Sequence, residues 1–235
     1  MEDFYNLIEH ALENDYIDKL VQDYKGDSTL TYSISSEVVT IPNNVFSGKN
    51  SLENISNKSK GRYEYTQENG KIGKYLAIEI AFAGIFDEKN LNLKEILIGG
   101  VGNQTACFWE DGKLLKNSYR KAKESGLKVI LNHTHPVIQR NEGEIRNYGA
   151  LPSWVPYECE EDFNNYVKDE KIKNMLKNSG LCEKYGADYC EILVRSKNVK
   201  NTSNFAMIMS PRLNQLGIFQ LKEEGQIIYH PWKIV

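Results

Sequence analysis

Long apolar runs, a surplus of charge of either sign and regularly spaced cysteines are all missing from this chain of 235 residues. No stretch approaches the roughly 20 apolar residues that a membrane-spanning helix requires, so no helical membrane anchor is expected. The net charge is −3 with 26% charged residues, which leaves no global field to draw the chain to nucleic acid or to a membrane surface. A local basic run over residues 113–123 fits the solvated face of a helix. Cys107, Cys159, Cys182 and Cys190 follow no CxxC spacing, so a zinc knuckle is not expected and the thiols read as reduced and cytoplasmic. The start, Met1-Glu2-Asp3-Phe4, is acidic and leads into no long apolar segment, which argues against a signal peptide. The richness in Asn, Lys, Ile and Tyr resembles chains from AT-rich bacterial genomes.

What is present is enough chain for one domain, or one domain with an appendage, and a sizeable core. Phe4, Leu7, Ile8, Ala11 and Leu12, then Ile17, Leu20, Val21 and Tyr24, follow helical spacing, with a break near Asn14-Asp15. Residues 29–41 read as short strands, and the polar stretch 42–60 as a long loop or boundary. Asn69-Gly70 between two strand-like runs is a hairpin signal. The second run is expected to continue to Phe86, followed by a strand over 91–98, a turn at Gly99-Gly100 and a short strand over 104–109. An amphipathic helix over 113–125, closed by Gly126, delivers the chain into the apolar run 127–131. A polar loop extends to about Tyr157, and a helix over 160–178 ends before Gly180. Further strands are expected at 191–195, 205–209, 216–221 and 227–229. The total reads as α/β, a mixed central β-sheet flanked by helices.

The chemistry concentrates at Asn132-His133-Thr134-His135-Pro136, which holds half of the four histidines. Alternate residues of a strand share a face, so His133 and His135 project together and can share a divalent metal. Such a pair at a strand end can also be merely solvated. A catalytic zinc site takes three protein ligands, and Asp162, opening the helix after the polar loop, is the expected third. Its alternative role is that of a first-turn charge favoured by the helix dipole. A hydrolytic site also needs a base. Glu79 is the lone charge in the apolar run 76–86, flanked on its own face by Ala77, Ala81 and Ala83. Its rival is Glu95, which Lys94 makes more natural at the surface. His10 and His230 read as structural or exposed.

With these residues assembled, the chain resembles the JAB/MPN (JAMM) zinc metalloprotease superfamily, most closely its RadC-like branch. The pattern is a strand Glu, then His-x-His-Pro, then Ser-x-x-Asp on the following helix. Glu79 and His133 stand 54 residues apart (133 − 79), and the branch's Asp eight residues after the Glu corresponds to Asp87. The likeness covers residues 74–165, weakly to about 210, and not 1–60. It implies a cytidine-deaminase-like architecture over residues 61–235 with an N-terminal helical and strand extension over 1–60. It further implies Zn2+ at His133, His135 and Asp162, and Glu79 as general base. The oxyanion-stabilising residue is left open: Ser153 stands in a Pro-Ser like the family's, whereas Cys159 holds the register three before Asp162. Asp162 itself lies 27 residues past His135 (162 − 135), farther than the family pattern has it. A papain-like role for Cys159 would leave the doubled histidines without a reason. The expected substrate is a polypeptide, ubiquitin-like or peptide conjugate cleaved at an amide or isopeptide bond, with neither nucleic acid nor membrane as partner. The alternatives are a non-catalytic MPN-like interaction module and a RadC-like accessory protein of DNA metabolism or mobile elements.

Overall fold

Nine strands form one mixed sheet, and its order explains how two distant parts of the chain meet at the histidines. The computed structural model describes residues 30–61, 63–66, 70, 72–75, 78–102, 112–135, 137–139, 145–147, 150, 170–181, 185, 187–213 and 215–235. Its strands are β1 (Thr31–Ile34), β2 (Val39–Ile41), β3 (Tyr63–Thr66), β4 (Ile72–Tyr75), β5 (Ile80–Asp87), β6 (Asn92–Val101) and β7 (Lys128–Thr134). They continue with β8 (Val137–Gln139), β9 (Ile145–Asn147), β10 (Thr202–Ser210), β11 (Gln215–Leu221), β12 (Gln226–Tyr229) and β13 (Trp232–Ile234). The described helices are α1 (Asn43–Phe46), α2 (Leu52–Ser59), α3 (Gly112–Ser125), α4 (Glu170–Ser179) and α5 (Ala187–Asn198).

The main sheet runs β1-β12-β11-β10-β7-β5-β6-β2-β13. Only His230 and Pro231 separate β12 from β13, yet these strands stand second and last in that order. A two-residue connection can join them only if the sheet curls on itself. Backbone bonds hold the corner: Val39 N–H donates to Pro231 O and His230 N–H to Ile218 O, both at 2.8 Å. The Trp232 indole donates to Leu216 O at 2.9 Å.

Each face of the sheet buries its own apolar layer. The inner face carries Ile80, Phe82, Phe86, Ile130, Met207, Ile218 and Trp232, covered by Val45, Phe46, Leu52 and Ile55 of α1 and α2. The outer face packs Ala83, Ile85, Val129 and Leu131 against Ala122 of α3. Farther along the same face, Ala206, Ile208 and Phe219 meet Tyr189, Cys190 and Leu193 of α5. Period-two alternation along β5 and β7 assigns these residues to opposite faces. β1 and β2, expected within an N-terminal extension, are strands of this same sheet, paired with β12 and with β13 and β6.

Several local expectations change. Residues 191–195 lie in α5, not in a strand. Short apolar runs suit either element, and here the helix aligns the buried Tyr189, Cys190, Leu193 and Val194 and pairs Arg195 with Glu191 at 2.7 Å. The stretch 42–60 holds two helices rather than a loop. Ser51 caps the second by accepting from Asn54 N–H at 3.1 Å, and Leu52 and Ile55 anchor it. Gly99 and Gly100 are part of β6, because pairing with β5 continues to Ile80↔Val101. The Asn69-Gly70 hairpin forms as β3 and β4, paired with each other in a separate sheet, and β5 begins only at Ile80. Gly126 and Gly180, with φ of 68° and 63°, sit in the left-handed region just past the ends of α3 and α4, as expected of C-terminal caps. The expected N-terminal helix, the strand over 104–109 and the start of the helix over 160–178 lie outside the described residues.

Candidate metal centre

β7 carries both histidines to one end of the sheet, and its neighbours determine what meets them there. It lies between β5, antiparallel, and β10, parallel, with His133 opposite Ala81 on one side and Ile208 on the other. The Asn132 side chain reinforces the join to β10, accepting from Met207 N–H at 2.7 Å just past the point where the register shifts. His135 follows the strand end and donates its backbone N–H to Met209 O at 2.7 Å. With the backbone held on both sides, the two rings have little freedom.

Their Nε2 atoms converge at 3.0 Å. Between β7 and β10 the chain crosses over the outer face through α4 and α5, and α5 enters with Asp188 in its first turn. Its Oδ2 lies 3.3 Å from His133 Nε2 and 3.9 Å from His135 Nε2. One ligand atom from each of the three residues falls within 4.8 Å of the others, so the group could hold a metal ion. Ligand atoms bound at about 2.0–2.1 Å in a tetrahedral zinc site stand roughly 3.3 Å apart, close to these separations. Two imidazoles and one carboxylate match the donors that zinc takes, and all three are largely buried.

The electrostatics also fit a cation. Burial opposes protonation of His133, yet the charge and hydrogen bond of Asp188, with Glu79 and Glu191 behind it, raise its pKa to about 9. A pocket that holds a proton so firmly carries excess negative charge at its centre. Glu79 is therefore close enough for its charge to be felt at His133. It stands immediately before β5, not within it, and continuing the β5–β7 register past Ala81↔His133 sets it level with His135. Glu95, the rival base, is instead in a half-exposed pair with Lys121 at 2.6 Å.

Asp162, Ser153 and Cys159 lie outside the described residues, as does His10. Asp188 is the carboxylate that reasoning from the sequence missed, and the cause is local. With 191–195 taken for a strand, no helix remained there to present an acidic first turn to the histidine strand. Relative to Asp188, the Ser register of a Ser-x-x-Asp pattern is held by Tyr185, which is buried with its ring 5.1 Å from that of Tyr189. His230, read as structural or exposed, is buried at the corner between β12 and β13, with 2% exposure. Among the described residues, His133, His135 and Asp188 are the metal-competent group, and no helix is long and apolar enough to cross a membrane. In comparisons with known proteins, no family model and no curated protein matches the chain.

Proposed function

We propose that this protein is a zinc-dependent hydrolase of the JAB/MPN type, acting on an amide or isopeptide bond of a polypeptide or peptide conjugate. The observation that carries this reading is the convergence of His133, His135 and Asp188 at the end of β7. His133 and His135 would hold the ion through Nε2 and Asp188 through Oδ2, in place of the Asp162 expected from the sequence. When bound there, zinc supplies a Lewis acid and makes water acidic enough to ionise near neutral pH. Glu79 takes a proton from the attacking water on its carboxylate and returns it to the departing amine nitrogen. Ala81 and Ile208, which flank His133 on the two neighbouring strands, are buried and would limit the access of bulk water to these charges. Ser153 and Cys159 remain the proposed sources of an oxyanion donor.

The test is zinc content together with turnover. Protein purified without chelator should carry about one zinc per chain, and a Glu79→Gln variant should keep the zinc while losing hydrolysis of a mixed-sequence peptide pool. Wild-type protein free of zinc after incubation with the metal would overturn the proposal.

A second reading, a non-catalytic MPN-like interaction module, is favoured by Tyr185 at the serine register. It predicts full zinc content with no peptide hydrolysis by the wild-type chain.

A further inference from the structure

Main-chain pairing between β5 and β7 stops at Ala81↔His133, two residues short of the level where Glu79 must act. There the gap between the strands is bridged by hydroxyl groups. Thr134, between the two histidines, accepts from Ile80 N–H at 3.0 Å and lies 3.4 Å from Ile78 O. Ser59, the last residue of α2, donates to Ile78 O at 2.7 Å and sits 3.1 Å from the Thr134 hydroxyl. Ile78 N–H in turn donates to Ser59 O at 3.2 Å, and Glu79 O accepts from Gly102 N–H at 2.8 Å. Ser59 and Thr134 are fully buried, so these bonds do not compete with water. The backbone on both sides of Glu79 is thus tied to the histidine strand and to a helix from the N-terminal part of the chain.

The geometry assigns Ser59 and Thr134 as positioning residues: their paired hydroxyls hold Glu79 at the depth of the metal centre. The inference rests on the metal reading above for its chemistry, but the clamp is a feature of the fold and can be tested separately. A β5–β7 ladder continued by ordinary backbone bonds would draw the strands together at this level. Here the Thr134 hydroxyl, rather than the β7 backbone, receives the Ile80 N–H, so side chains take over from the ladder at the level of Glu79. The hydroxyl bridge also ties residues 52–59, outside the stretch that resembles the hydrolase family, to the site.

The test uses the full chain and zinc alone as probe, in Thr134→Val, Thr134→Ser and Ser59→Ala, each with and without Glu79→Gln. Valine keeps the shape of threonine and removes the hydroxyl; serine keeps the hydroxyl. Exchange of the Ile80 amide should quicken about tenfold or more in Thr134→Val, less in Ser59→Ala, and stay near wild type in Thr134→Ser. In the wild-type background Glu79→Gln should weaken zinc binding about fivefold, through loss of a nearby negative charge. In the Thr134→Val background the same change should have an effect of less than about twofold, and Thr134→Ser should restore the full one. An unchanged Ile80 exchange rate, or an equal Glu79→Gln effect in both backgrounds, would overturn the clamp. Should Thr134→Val not fold, Ser59→Ala carries the same two measurements. Absence of zinc binding in the wild type would sink the metal reading, and Ile80 exchange would still decide the clamp.

Discussion

Two buried histidine environments in this molecule behave in opposite ways. At the end of β7, His133 and His135 face each other and Asp188, and the surrounding carboxylates raise the His133 pKa to about 9. At the corner between β12 and β13, His230 is 2% exposed and packs on the Phe205 ring with centroids 5.0 Å apart. Burial lowers its pKa, and the Glu37 backbone and carboxylate offset this only in part. Neither His230 ring nitrogen makes a full hydrogen bond among the described residues. Burial disfavours the charged form in both places, and nearby carboxylates decide which way the balance falls. A histidine is therefore marked as a candidate ligand less by its depth than by the anions that converge on it.

The largest effect should come from removing that convergence. His133→Ala or His135→Ala should abolish stoichiometric zinc binding, and Asp188→Asn should weaken it by about 100-fold, while His230→Leu should leave the zinc in place. Metal analysis after dialysis against a weak chelator reads all four. Asp162→Asn discriminates between the two carboxylates: zinc loss there, with retention in Asp188→Asn, would return the third ligand to Asp162.

Next comes chemistry without loss of metal. Glu79→Gln should lower peptide hydrolysis about 100- to 10,000-fold at constant zinc content. Glu95→Gln should leave turnover as it was, since that carboxylate is committed to Lys121 at the surface. A larger loss in Glu95→Gln than in Glu79→Gln would put the base on β6.

The pH dependence of stability should show the two environments with opposite signs. In metal-free protein the raised pKa of His133 gives a contribution fully present below about 6.5, the unfolded value. It is lost as pH rises through about 9. His230 is depressed in the folded state, so its contribution is present above the unfolded pKa and lost as pH falls through the lowered folded value. Melting curves between pH 5 and 10 should therefore show an alkaline loss that His133→Gln flattens and an acid loss that His230→Leu flattens. An acid limb identical in His230→Leu and wild type would remove His230 from the account.

The smallest effect belongs to the exposed Lys121–Glu95 pair. Each partner is close to half exposed, so Lys121→Ala should cost less than about 0.5 kcal/mol in denaturant unfolding. This serves as the control against which the buried clusters are judged.

Much of this was legible from local pattern alone. Alternation along 80–86 and 128–134 is enough to name the core face, since strand geometry places every second side chain on one side. The same rule put His133 and His135 together, and the glycines at 126 and 180 marked the ends of their helices. The lone charge of Glu79 in an apolar run was visible for the same reason. Other features could not be read so. The segment 191–195 is apolar enough for either a strand or a helix, and only packing on β10 and β11 selects the helix. With that helix came Asp188, which is 53 residues past His135 in sequence (188 − 135) and reaches it only through the parallel crossover from β7 to β10. The Ser59–Thr134 bridge joins residues 75 apart, and the curl of the sheet depends on a two-residue corner between strands at opposite ends of its order. The sequence by itself determined which residues share a face and where the histidine pair stands, because those follow from backbone period within a single strand. The tertiary structure alone decided which carboxylate joins the two histidines and what ties the backbone around Glu79 to their strand. Those depend on which strands become neighbours, and that is settled by burying two apolar faces at once.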